Sequence, residues 1–168
     1  MTQAIDRRNL PLLLLQVREG VFSHFRPIVS HFGLTEQQWR VLRALGEKGE
    51  MEQNQVADTC QILAPSLAGV LARMEEVGLV RRRRHETDLR RVLVSLAPKG
   101  EDIVERVAPL VKEQYELLEE AVGRDVIAGL YRALDRYLEA GQVPVPSVGL
   151  PPLDDVPVPQ RERRRKAG

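Results

Sequence analysis

The stretch from Leu63 to Leu96 reads LAPSLAGVLARMEEVGL and then VRRRRHETDLRRVLVSL, and its halves obey different periods. In the first half Leu67, Val70, Leu71, Met74 and Val77 recur at spacings of three and four, the stripe of a helix with one inward face. Pro65 suits the first turn, where a missing N–H costs nothing, and Gly78 supplies the stop. The outward face carries Ser66, Ala68, Gly69, Ala72 and Arg73 and is unusually small. In the second half Val92, Val94 and Leu96 alternate with Leu93 and Ser95, a strand period, and His85 to Leu89 form the polar tip of a hairpin. Arg81, Arg82, Arg83, Arg84, Arg90 and Arg91 crowd into it. A short helix followed at once by a cationic hairpin has the shapes that enter a DNA duplex, the helix by the major groove and the hairpin by the backbone and minor groove.

Upstream, Leu34 to Leu45 opens with Thr35 and Gln38 spaced as a capping box, with Leu34 and Trp39 placed as the hydrophobic staple around it. Gly46 and Gly49 mark the following loop. Glu52 to Cys60 reads as a short helix, and Gln61 to Ala64 as a tight link to the helix at Pro65, the proportions of a helix-turn-helix. Leu10 to Phe32 reads as a longer helix, with Pro11 in its first turn and Pro27 expected to kink or end it near Arg26. Leu12, Leu13 and Leu15 make its first turns apolar all round, so that end should be covered on more than one side. Downstream, Ile103, Val107, Leu110, Val111, Leu117 and Leu118, then Val126, Ile127, Leu130, Leu134 and Leu138, predict two helices broken near Gly123, the first bent at Pro109. Six of the eleven prolines fall after Ala140, and the chain closes on RERRRKAG, the composition of a disordered, basic tail. Met1 to Asn9 is a polar leader, expected to fray.

The 168 residues suffice for one cored domain with a tail. Net charge is only +1, so partner choice is written in its distribution. Leu79 to Leu96 carries +4 and Glu101 to Asp125 carries −5, a directed pattern that can orient the chain on a polyanion. The single cysteine, Cys60, excludes an internal disulfide framework and a cysteine-cluster zinc site. No apolar run is long enough to span a membrane and no signal-peptide layout is present, so a cytoplasmic protein without membrane contact is expected. Neither a nucleophile elbow, a phosphate loop nor paired carboxylates in a recognisable setting appear, so no catalytic residue, metal or cofactor is assigned.

The order of elements, the GLV closing the recognition helix, the D-x-R-R at Asp88–Arg91 and the LVSLAPKG that follows resemble the MarR family of winged-helix regulators over about Leu10 to Ala140. GLTEQQWRVLRAL and ILAPSL resemble its subgroup that represses aromatic-acid catabolic operons, regulators of homoprotocatechuate and nicotinic acid degradation among them. The resemblance implies a mainly α fold with a small β-wing: an N-terminal dimerisation helix (1–33), a winged helix-turn-helix DNA-binding domain (34–97), C-terminal dimerisation helices (98–140) and the tail (141–168). It further implies a homodimeric, ligand-responsive repressor on a pseudopalindromic operator, released by an aromatic or heteroaromatic carboxylic acid. Two departures stand out. Ala97 replaces the family's threonine before Pro98-Lys99-Gly100, and the Pro-rich tail lies outside the family pattern.

The candidate DNA-binding residues are Pro65, Ser66, Ala68, Gly69 and Arg73 on the helix and Arg83, Arg84, Asp88, Arg90 and Arg91 on the hairpin. Arg73 suits guanine or phosphate, or it pairs with Glu76 on its own helix. By the resemblance a wing-tip arginine enters the minor groove and Asp88 braces it through an ion pair, the pattern that Arg90 and Arg91 match, with Arg83 and Arg84 serving phosphates. Arg18, Phe22, Phe25, His31, Trp39 and Arg40 form the candidate effector set, because guanidinium pairs with carboxylate while rings stack. The competing reading puts Trp39 in the core and the two arginines in solvent or in interface ion pairs. His24 and His31 lack further ligands for a metal. Cys60 matches no family redox position and reads as a small buried apolar residue. The rival functions are a non-specific architectural DNA binder and a regulator without a small-molecule effector.

Overall fold

The structure, a computed structural model, describes residues 7–141 and 143–149. The predicted tail beyond Val148 and Gly149, and the leader before Arg7, lie outside the described residues. The elements run α1 (Leu10–His31), α2 (Glu36–Lys48), β1 (Met51–Glu52), α3 (Gln53–Cys60), α4 (Ala64–Glu76), β2 (Val80–Arg84), β3 (Val92–Leu96), α5 (Pro98–Val122) and α6 (Arg124–Ala140). This is the expected mainly α fold with a small β-wing, and the wing sheet has three strands in the order β1-β3-β2, all antiparallel.

Most boundaries have a local cause. The Asn9 side chain accepts from Leu12 N at 3.0 Å and starts α1. The capping box at α2 forms as expected: Thr35 Oγ1 accepts from Gln38 N, and Thr35 N donates to Gln38 Oε1. Helix α4 closes in a Schellman motif. Gly78, at φ +74°, donates to Glu75 O, and Leu79 N donates to Met74 O at 2.8 Å. The same hydrogen-bond pattern closes α3 with a non-glycine residue, Gln61 at φ +49°, whose side-chain amide donates to Asp58 O at 2.7 Å.

The chain clusters into two compact units, Met1–Ile127 and Ala128–Gly168. The first holds a core in which Val41, Leu42, Val56, Leu67, Leu71, Met74, Val94 and Val107 are completely buried. Within it α1 packs on α5, and α2 packs on α3, α4 and α5. Trp39 and Leu34 both lie inside, consistent with the staple. In the second unit Tyr131, Leu134, Tyr137 and Leu138 of α6 are exposed.

Several expectations are corrected. Pro27 does not end α1, which runs on to His31 with that proline on its exposed face. Gly46 is no loop residue but part of α2, because α5 crosses there: a Cβ on it would stand 3.1 Å from Val104 Cγ1. Val77 leaves the inward stripe of α4; as its C-cap it is 48% exposed. Leu110, Leu117, Val126 and Leu138 keep the helical period but lie on exposed surface. The two-residue β1 was not foreseen, since it exists only by pairing with Leu93 and Val94.

Ala97 caps α5 with no side-chain hydrogen bond, so the expected loss of that cap is real. Backbone packing takes over. Ala97 N donates to Leu79 O at 3.1 Å, and a Cβ on Gly100 would stand 2.1 Å from that same oxygen. A Gly100→Ala variant should therefore lose about 2–3 kcal/mol of stability by overpacking. Urea unfolding at fixed protein concentration checks this, and an unshifted midpoint would show that the junction can relax.

Candidate nucleic-acid interface

Helix α4 turns Leu67, Val70, Leu71 and Met74 into the core and leaves Pro65, Ser66, Ala68, Ala72 and Arg73 exposed, with Gly69 half-buried between them. Arg73 makes no ion pair among the described residues, so the alternative pairing with Glu76 does not form. Its Nη1 instead lies 3.6 Å from where a Gly69 Cβ would be.

The wing brings the six arginines into two groups. Arg82 is turned toward α4 and clamped by Glu75, which accepts from its Nε (2.8 Å), Nη2 (2.5 Å) and backbone N (3.1 Å). Arg83 is held by Glu50 through Nε (3.0 Å) and Nη2 (2.6 Å), with Glu86 at 3.9 Å. Arg91 pairs with Glu52. Arg81, Arg84 and Arg90 are exposed, and their guanidiniums have no partner among the described residues. The arginine hydrogen bonds hold the Glu52 and Glu75 carboxylates below the ordinary glutamate range. Both clamps thus persist at neutral pH and loosen only as pH falls through those lowered values.

The expected brace from Asp88 takes another form. Its carboxylate forms no ion pair among the described residues; Asp88 Oδ1 accepts from Arg90 N at 3.1 Å and its carbonyl accepts from Arg91 N at 3.0 Å. Asp88 shapes the wing tip by folding the backbone under Arg90, as short acidic side chains do in turns. Sequence reasoning missed Glu50, Glu52 and Glu75 because each meets its arginine only through tertiary structure.

The candidate effector residues divide. Arg18 and Arg40 converge on Glu36, Arg40 Nε at 3.7 Å. Arg40 Nη1 donates to Cys60 O at 2.6 Å, while its Nε is buried without a hydrogen-bond partner. Burial first, and then Arg18, lower the Arg40 pKa. Trp39 is buried, and Phe25 is buried against Tyr115 with ring centroids 4.6 Å apart. Phe22 is half-buried under Arg26, and His31 is exposed, edge-on to Phe32. Among the described residues no group of histidine, cysteine or carboxylate side chains could hold a metal, and no helix is long and apolar enough to cross a membrane.

This arrangement defines a winged helix-turn-helix. Residues 32–91 match the sequence model of the MarR family. The homoprotocatechuate degradative operon repressor of Escherichia coli is 38% identical over 133 residues, covering 79% of this chain and 90% of that protein. Among solved structures, NadR in complex with 4-hydroxyphenylacetate superposes with a TM-score of 0.70 at 36% identity, covering 81% of this chain and 96% of NadR. The repressor CouR bound to a 23-mer DNA duplex gives 0.69 at 30%, covering 77% and 92%. The chain belongs to the MarR family: it is a winged helix-turn-helix transcriptional repressor and not an enzyme.

Cys60 is 3% exposed, and burial pushes its thiol pKa up. A maleimide reagent at neutral pH should label it slowly in the folded protein and at the rate of a free thiol in urea. Fast labelling of the native form would contradict the packing described.

Proposed function

We propose that two copies of this chain bind a pseudopalindromic operator and that an aromatic or heteroaromatic carboxylate releases them. The observation that carries the DNA reading is the outward face of α4. Ser66, Ala68 and Ala72 leave it nearly flat and exposed, and the unpaired Arg81, Arg84 and Arg90 stand on the adjoining wing. Pro65, Ser66, Ala68, Gly69 and Arg73 would face the major groove, while Arg84 and Arg90, on a tip shaped by Asp88, would reach the backbone and minor groove. Alanine methyls touch only thymine methyls, so much of the selectivity falls to DNA shape.

The dimer reading rests on apolar surface that water should not keep. Leu10, Leu12, Leu14 and Leu15 on α1 are 40–53% exposed, and α6 by itself exposes Tyr131, Tyr137 and Leu138. Covered by a second copy, residues 1–33 and 98–140 act as dimerisation helices around the DNA-binding part, 34–97. A two-fold pair would then set its α4 helices about 34–36 Å apart, one turn of duplex. The effector reading rests on Arg40, whose buried Nε–H lacks a hydrogen-bond acceptor among the described residues and whose charge lies near that of Arg18. A ligand carboxylate would satisfy it, and preference for one arrangement of the dimer would set the size of release. NadR was solved with 4-hydroxyphenylacetate, and the Escherichia coli relative is named as the repressor of a homoprotocatechuate degradative operon.

A gel shift on the DNA upstream of the protein's own gene tests this. Arg84→Ala with Arg90→Ala should weaken binding at least about tenfold and lower the salt slope by about one unit per arginine. Binding equal to wild type would defeat the wing assignment, and a panel of aromatic acids that leaves the shift intact would remove the effector alone. Separately, Gly69→Ala should raise stability by about 1 kcal/mol, since the added methyl meets only the end of Arg73 and helix propensity improves. The same methyl should weaken operator binding by holding the α4 backbone off the groove, read by titrating operator against both proteins.

A further inference from the structure

We propose that Glu50 and Glu52 are restraint residues that keep two wing arginines off DNA and so limit sequence-independent binding. The inference rests on the wing reading above and adds its regulation. Strand register puts Glu52, Leu93 and Arg83 in one row across the three strands. Residues opposite one another on antiparallel strands share a face. The adjacent row contains Met51 and Val94, both buried in the core, so the row of Glu52 and Arg83 lies on the outer face.

On that face Arg83 reaches back across β3 to Glu50 in a two-point contact, and Arg91 leaves the end of the wing turn to meet Glu52. The side chains of Arg83 and Arg91 remain 52% and 44% exposed, so these pairs are weak and exchangeable rather than buried fixtures. Phosphate offers each guanidinium anionic oxygen acceptors in place of the carboxylate that now meets it. Any duplex must therefore displace Glu50 or Glu52 to gain those contacts, and the freed carboxylate then stands beside the polyanion. Arg84 and Arg90 face no such competitor. On random DNA phosphate contacts supply nearly all of the affinity. The glutamates thus withhold two of the wing's charges from that mode.

The test is a pair of double-mutant cycles on a random duplex across a salt series, Glu52→Gln with Arg91→Ala and Glu50→Gln with Arg83→Ala, each alone and combined. Either glutamine should tighten binding several-fold at low salt and steepen the salt slope by about one unit, the worth of one added phosphate contact. The gain should vanish when the partner arginine is alanine. An equal gain in that background would mean simple removal of charge and would overturn the proposal, as would no gain in the wild-type background. Glu52 also begins α3, so the Glu50 cycle, outside any helix, decides the matter if Glu52→Gln disturbs folding. Arg84→Ala with Arg90→Ala is measured alongside. Undiminished binding in that variant would sink the wing reading itself, whereas lost binding there with no gain from either glutamine sinks only the restraint.

Discussion

The fold turns on Leu79. Its N–H closes α4 by donating to Met74 O, its side chain is buried, and its carbonyl accepts Ala97 N at the start of α5. Gly100 lies so close to that carbonyl that no side chain fits between them. One residue therefore closes α4, leads directly into β2 and seats the long helix α5. Since α4 and α5 are anchored to the two main-chain groups of the same residue, a shift in either is felt by the other without a gap of flexible chain to absorb it.

Electrostatics then sorts surface that composition leaves undifferentiated. Six arginines on the hairpin look equivalent in the sequence. In the structure Arg82 fastens the wing to α4 through Glu75, Arg83 and Arg91 lie across the sheet on Glu50 and Glu52, and Arg81, Arg84 and Arg90 are left to the solvent. Only the last group has charge to spend freely on an outside partner. Asp88 contributes through its turn hydrogen bond rather than through an ion pair, which puts Arg90 at a defined place on the tip.

Local chemistry was readable from the chain and long-range chemistry was not. The Thr35 capping box, the Gly78 stop, the break at Gly123 and the inward stripe of α4 as far as Met74 each depend on residues close together in the chain, and each appears where the sequence places it. Gly46 was misread because its reason is Val104, on a different helix. β1 was missed because two residues become a strand only beside β3. The arginine partners were invisible for the same cause: Glu50 and Glu52 lie 33 and 39 positions from Arg83 and Arg91. Of the effector set, folding joins Arg18 and Arg40 through Glu36, an acid that the sequence pattern did not single out.

The turn at Gln61 limits how such a chain can diverge. The link from α3 to α4 is only residues 61–63, and its left-handed Gln61 is backed by two main-chain hydrogen bonds, so it has little slack. Adding one amino acid there would disrupt those hydrogen bonds and shift α4 against the core it packs on. The loop at 85–91, held mainly to itself, can lengthen or shorten while α4 keeps its aim. Length variation among descendants of this sequence should gather at the wing and spare the turn.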